Sequence, residues 1–214
     1  VQNIDLSDFD NHISAWEQEA KTVVIVAADK MPVALFAIAD QEKPHARQAV
    51  RSLLERGLKV VMITGDNSNT ARAMAKKLGI KDFEAEVLPD EKLKLVKQYQ
   101  KEGYKVAFVG DGVNDAPAIT ASDLGIAVGI GTDIAMEAGQ IVLVGGGPEK
   151  VLEAIDLAKQ THKIIIQNLF WAFIYNIIGI PIAAIGLLNP MIASAAMAFS
   201  SVSVVLNSLR LKKK

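Results

Sequence analysis

Cysteine is absent from these 214 residues, so no disulfide and no thiolate metal site can form among them. Aromatic residues make up only 6%. Neither sign of charge dominates. The 23 Lys and Arg stand against 24 Asp and Glu, a formal net charge of −1, which removes any global electrostatic case for nucleic acid. A basic-then-apolar signal segment is missing at the start, as are internal repeats, low-complexity tracts and heptads. The chain opens on Val1, and a piece of something longer is expected. The most informative lack is local. Charges are spread evenly up to Lys163, vanish from Ile164 to Leu209, and return in "RLKKK".

What is present first is an apolar hairpin. "KTVVIVAADKMPVALFAIAD" reads as antiparallel strands Thr22–Ala27 and Val33–Ile38 around a polar turn near Asp29 and Lys30. The polar stretch before it reads as part helix and carries no motif. After Asp40 strands and helices alternate. "EKPHARQAVRSLLERG", "SNTARAMAKKLGI" and "PDEKLKLVKQYQKEG" have helical spacing and Gly stops, the second capped by Ser68 or Asn69. "LKVVMI", "YKVAFV", "LGIAVG" and "QIVLVG" are uninterrupted apolar strands. That alternation predicts an α/β fold with a parallel sheet covered on both faces. "GGGP" closes the sheet domain, and a helix from near Glu149 leads towards the uncharged region.

Ligands of such a sheet sit beyond the carboxyl ends of its strands. "MITGDN" offers Thr64, Gly65 and Asp66 there: a hydroxyl and free backbone N–H groups for phosphoryl oxygens, although Thr-Gly-Asp is also an ordinary turn. "VGDGVNDAPA" is more specific. Asp111 can give a carboxylate oxygen to Mg²⁺, Gly110 and Gly112 leave room, and Asn114 and Asp115 can order the ion's surroundings. The alternative is a calcium-like or merely structural acidic turn. Lys92 lies in the first turn of its helix, where the helix dipole disfavours a cation. It is either a solvated surface lysine or a neutraliser of phosphate charge.

Together Thr64, Lys92, Asp111 and Asp115 resemble the later motifs of the haloacid-dehalogenase-like phosphotransferases. "TGD…LPDEK…VGDGVNDAPA" is similar to the P domain of P-type ATPases. That resemblance implies a Rossmann-like P domain using ATP and Mg²⁺, whose nucleophile is an aspartate in "DKTGT". No "DKT" occurs here, so the aspartate is expected upstream of Val1. It further implies that Asp111 and Asp115 serve Mg²⁺, that Thr64, Gly65, Asp66 and Lys92 hold the phosphoryl group, and that Asn114 orders the site. Asp40 and Lys43 in "DQEK" resemble the family's "DPxR" hinge, with Gln41 for proline and Lys43 for arginine.

The uncharged region is too long for one span, since about 20 apolar residues cross a bilayer. "LLNP" divides it into spans near Ile164–Ile185 and Met191–Leu209, a hairpin with His162 and Lys163 at one mouth and Arg210, Lys212, Lys213 and Lys214 at the other. The positive-inside tendency puts both ends on the cytoplasmic face; the alternative is a buried hairpin in a large soluble core. Asn168, Tyr175, Asn176 and Pro181 are polar or helix-breaking interruptions, either ligands or interhelical glue. Met197 and Ser201, four apart, share one helix face. A thioether with few hard oxygens suits Cu(I) or Ag(I), and no acid lies in either span to balance a hard divalent ion.

The spaced set from Asn168 to Ser201 is similar to the last two helices of the copper-exporting heavy-metal (type IB) ATPases. There Tyr175, Asn176, Met197 and Ser201 would be transport-metal ligands. The expected layout is residues 1–39 as a remnant of the nucleotide domain, 40–160 as a P domain without its nucleophile strand, and 161–214 as a transmembrane hairpin with a basic cytosolic tail. The resemblance implies an integral membrane Cu(I) pump working through an aspartyl phosphate and inactive in these residues alone. Its implied partners are the bilayer, the actuator and nucleotide domains, the other transmembrane helices and a copper chaperone, with no nucleic acid. A pump for Zn(II) or another cation, and a membrane-anchored phosphatase or regulatory module, are the alternatives.

Overall fold

A computed structural model describes residues 4–39, 42–110, 113–128, 139–145, 147–186 and 190–213. Asp40, Gln41, Asp111, Gly112 and the segment "GTDIAME" lie outside the described residues. The chain divides into two units, Val1–Leu152 and Glu153–Lys214.

In the first unit, helix α1 (Asp10–Gln18) precedes an antiparallel hairpin of β1 (Lys21–Ala28) and β2 (Met31–Ala39). Asp29 and Lys30 both take positive φ, 50° and 66°, the handedness that a two-residue hairpin turn requires. Register runs from Lys21 opposite Ala39 to Ala28 opposite Met31, with an irregularity between Val26 and Ala27.

Then come α2 (Ala46–Glu55), β3 (Val61–Ile63), α3 (Ser68–Leu78), β4 (Asp82–Glu84), α4 (Pro89–Lys101) and β5 (Ala107–Gly110). A single 3₁₀ turn, Val113–Asp115, leads into α5 (Ala116–Ala121), β6 (Leu124–Val128) and β7 (Ile141–Leu143). All pairing after the hairpin is parallel: β3 with β4, and β5 with β6 with β7. Sequence periodicity misses β4, whose "DFE" has one apolar residue; only its middle side chain turns inward.

Two sheet pieces share one core. Val96 of α4, Phe108 of β5 and Ala118 and Ile119 of α5 form a buried cluster, against which Ile63 of β3 packs. β6 is the most buried strand, with Ile126 at 1% exposure, as its unbroken apolar run requires. Helix ends follow local chemistry. The cap of α3 is Asn67, not Ser68 or Asn69: its side chain accepts from the amides of Asn69 and Thr70. Its cap role follows from its extended backbone, with ψ 159°. Pro89 opens α4, and Glu91 reaches back to the Leu88 amide at 3.0 Å.

The second unit holds most of α6 (Pro148–Ala184), which runs 37 residues without a break, and α7 (Pro190–Ser208), followed by a 3₁₀ segment, Leu209–Lys213. Pro181 lies inside α6. Both regions contain helices long and apolar enough to cross a membrane, with mean hydropathy 1.6 for Pro148–Ala184 and 1.2 for Ser194–Leu211.

Candidate functional site

The parallel strands end in the loops that the sequence singles out. Past β5, the 3₁₀ turn brings Asp115 back over Gly110. A Cβ built on Gly110 would lie 2.7 Å from both Asp115 Cβ and Oδ2, so only glycine fits there. Asp115 is 8% exposed and would be costly as a bare buried carboxylate. It is not bare: Lys92 Nζ donates to its Oδ1 at 2.6 Å, and the two side chains are 11% and 19% exposed. This resolves why a lysine occupies the positive end of α4. Its stem carries the ammonium out of the first turn to a carboxylate, which the helix dipole alone would not supply.

The other loop is self-tied. Thr64 Oγ1 donates to Asp66 Oδ2 at 2.8 Å and accepts from the Asp66 amide at 3.1 Å. Glu84 and Val87 fix the backbone, since Thr64 N–H donates to Glu84 O and Val87 N–H to Thr64 O, each at 3.0 Å. Gly65 is open on its α-carbon: an added Cβ would meet nothing nearer than Val87 O at 3.8 Å. Close approach of a ligand to that backbone is therefore sterically free.

Several supporting residues carried no signal in the sequence. Glu17 of α1 accepts from Asn67 Nδ2 at 3.0 Å and from Asn69 Nδ2 at 2.9 Å, so the segment without a motif pins the loop after β3. Thr22 Oγ1 donates to Asp66 Oδ1 at 3.3 Å. Beneath the site, Asp123 accepts from Lys105 Nζ, Val106 N–H and Gln100 Nε2 at 2.8, 3.0 and 3.1 Å. Those bonds, Lys105 first, hold its carboxyl well below the usual carboxylate range. Only a capping pattern would hint at Glu17, and none of standard spacing exists.

Of the hinge pair, Asp40 lies outside the described residues. Lys43 packs its stem beside Gly147, 3.2 Å from where a Cβ would stand. Next to it Glu149 Oε1 accepts from the Gly147 amide at 2.7 Å, and hydrogen bonds from backbone amides lower its carboxyl pKa.

In the second unit, Tyr175 stacks at a tilt on Trp171, centroids 6.4 Å apart, and Asn176 Nδ2 donates to Ala172 O at 3.0 Å. Met197 is 72% exposed. Among the described residues no hydrogen bond joins Tyr175 or Asn176 to Met197 or Ser201. Asn168 behaves as interhelical glue, donating to Ser208 Oγ at 2.8 Å.

Asp115 offers hard oxygen, the ligand type that Mg²⁺ takes, while among the described residues no group of three or more His, Cys, Asp or Glu gathers to hold a metal. Asp111, the second carboxylate expected from the sequence, is outside the described residues. Residues 2–123 match the family model of the haloacid dehalogenase-like hydrolases. The chain belongs to that family.

Likeness extends past the haloacid dehalogenase-like region. A copper-exporting P-type ATPase of Staphylococcus aureus (strain JH9) is 51% identical over 201 residues, 94% of this chain. The same figures hold for the protein of strain Newman. The chain spans about a quarter of the length of these curated relatives, 25%. Among solved structures, a zinc-transporting PIB-type ATPase in an E2.Pi state superposes with a TM-score of 0.81 at 34% identity, over 97% of this chain and 34% of that one. The likeness to P-type ATPases that the loops suggest thus runs through the parallel-sheet region and both apolar helices.

Proposed function

We propose that these residues form the C-terminal part of a Cu(I)-exporting P-type ATPase. Residues 1–39 end its nucleotide domain, 40–160 are its P domain and 161–214 its last two transmembrane helices and basic cytosolic tail. The observation that carries the reading is the Lys92–Asp115 ion pair seated over Gly110, at the mouth of a parallel sheet. A half-buried ammonium beside a carboxylate past the end of β5 is suited to receive a phosphoryl group.

In this reading Lys92 neutralises phosphoryl oxygens, while Asp115 holds the lysine in place and shares the metal's surroundings with Asp111. Bound Mg²⁺ would supply charge neutralisation to the phosphate of ATP. Thr64 swings its hydroxyl from Asp66 to a phosphoryl oxygen, Gly65 lets the backbone approach, and Asn114 orders the loop. The phosphorylated aspartate comes from a strand outside these residues. Support comes from β3 and β5: each has a parallel partner on one side, and their side chains meet in one core. The reading places that strand between them.

The transported ion is read as Cu(I) from the soft, uncharged donor set Tyr175, Asn176, Met197 and Ser201. The likeness to a zinc-transporting PIB-type ATPase favours Zn(II) as the second reading. Metal-stimulated ATP hydrolysis by the complete protein decides between them. Stimulation by Cu(I) or Ag(I), lost in Met197→Ala, is expected; stimulation by Zn(II) alone defeats the assignment. The 214 residues by themselves should form no aspartyl phosphate from ATP.

A further inference from the structure

Near the charged end of the hairpin, four side chains bind the two apolar helices to each other. Asn168 Nδ2 donates to Ser208 Oγ at 2.8 Å, and Asn207 Nδ2 donates to Asn168 Oδ1 at 2.9 Å and to Gln167 Oε1 at 3.2 Å. Ser208 Oγ donates to Val204 O at 2.8 Å, and Arg210 Nη1 donates to Asn207 Oδ1 at 3.1 Å. Every amide in the group has a partner, and all four side chains are half-buried. An apolar helix surface gives almost no information about register, because one leucine ridge packs much like the next. Directional bonds between amides do carry it.

We propose that Gln167, Asn168, Asn207 and Ser208 form a register clasp, which sets the height at which the transport-metal donors of α6 and α7 meet. The inference rests on the Cu(I) pump reading. Antiparallel helices lose on one side what they gain on the other. Counting from the Asn168–Ser208 bond, an antiparallel pairing continued along the helices would set Tyr175 level with Ser201 and Asn176 with Ser200. Met197 follows one turn on, about 5 Å further from the clasp. At the far end α6 stops at Ala184, the chain turns at Ile185 and Gly186, and α7 starts at Pro190, at nearly the same register. The donors on α6 thus sit about 12 Å from the clasp and about 12 Å from the last residue before the turn. A covalent link holds one end, and a hydrogen-bonded link holds the other. Without the clasp only the turn opposes sliding or splaying at the donors' level.

These are positioning residues: none touches the metal, and they act through the relative height of two helices. Ala172, one turn from Asn168, and Val204, one turn from Ser208, are both half-buried, and the clasp's register would set them level. In the full-length protein in native membranes, the pair Ala172→Cys with Val204→Cys should cross-link. The offset pair Ala172→Cys with Ser200→Cys should link poorly, as read by mass spectrometry of the joined peptides. Adding Asn168→Leu with Asn207→Leu should reduce the ratio of level to offset links at least several-fold. The milder Asn207→Ala should give a smaller change in the same direction if the leucine variant does not reach the membrane. In the metal assay the clasp variant should raise the Cu(I) KM about tenfold, the loss of one to two membrane hydrogen bonds, with kcat within about twofold. The exchange Asn168→Ser with Ser208→Asn should restore it.

An unchanged cross-link ratio in the clasp variants overturns the proposal, as does a fall in kcat with no change in KM. If Cu(I) fails to stimulate the unaltered protein, the pump reading falls. The cross-link ratio then decides the clasp by itself.

Discussion

Replacing Gly110 by alanine tests the core of the site with one methyl group. The added carbon would lie 2.7 Å from Asp115 Cβ and Oδ2 and 2.9 Å from Cγ. Carbon atoms rest at about 3.5–4.0 Å, so something must move by about 1 Å. The backbone on one side is strand β5, paired with β6 from Ala107 to Gly110, and it resists. Asp115 closes the 3₁₀ turn that leads into α5, and its displacement lengthens the 2.6 Å bond from Lys92. Overpacking of this kind costs about 1–3 kcal/mol. A charged, largely buried hydrogen bond strained at the same time adds about 1–2 kcal/mol. The expected loss is about 2–4 kcal/mol in the sheet region. An ångström of misplacement at a reacting group also lowers phosphoryl transfer about a hundredfold. The assay is denaturant unfolding of the complete protein, followed by near-ultraviolet signal, alongside phosphoenzyme formation from ATP. Gly65→Ala is the internal control: its Cβ meets only Val87 O at 3.8 Å, so stability should change by less than about 0.5 kcal/mol while phosphate binding weakens. A Gly110→Ala protein with unaltered unfolding and unaltered phosphoenzyme would refute the geometry of Asp115 and the site built upon it.

Lys92→Met leaves Asp115 largely buried with no cation, and should destabilise by about 3 kcal/mol in the same unfolding measurement; a loss under about 0.5 kcal/mol would put Asp115 in contact with solvent. Asn67→Ala removes the α3 cap and one of the two bonds to Glu17, for an expected loss of about 1–2 kcal/mol; Asn69→Ala, which removes only the other Glu17 bond, should cost less. Asp123 has a folded pKa depressed below its unfolded value, so its stabilisation is present above the unfolded pKa of about 3.9 and is lost as pH falls through the folded one. The urea midpoints of Asp123→Asn and unaltered protein should therefore differ by a constant amount from about pH 8 to 5, then converge below about pH 4; a difference that first vanishes near pH 6 would implicate another group.

How much of this could be seen without coordinates depends on the kind of interaction. The apolar runs "YKVAFV" and "LGIAVG" became β5 and β6 because burial on both faces writes itself as unbroken hydrophobicity. Strand β4 did not: it has three residues, "DFE", and its partner is parallel and 21 positions earlier, Val61 opposite Asp82. Nothing local distinguishes it from a loop. The loops of Thr64 and Asp115 were legible as composition, but not their pairing. Lys92 and Asp115 stand 23 residues apart, and a lysine in the first turn of a helix looks solvated until a carboxylate is brought to it. The α3 cap was misplaced by one or two positions, because Asn67, Ser68 and Asn69 are all good caps and only the backbone angle selects among them.

The apolar helices show the same division more sharply. Length and the lack of charge announce two spans, and both helices are there. What the string of letters cannot state is which amide meets which. Asn168, 39 positions from Asn207 and 40 from Ser208, reads equally as a ligand or as glue. Its two short bonds across the helix pair favour glue, while Asn176, one of the same residue type eight positions on, turns its amide to its own helix at Ala172. That bond engages the Asn176 nitrogen, so in the proposed pump its side-chain oxygen would be the atom offered to a cation. Two asparagines on one helix thus divide into a structural amide with both ends committed across the interface and a second whose donor end is satisfied locally. Exchanging their environments, not their identities, is what separates a clasp from a candidate ligand.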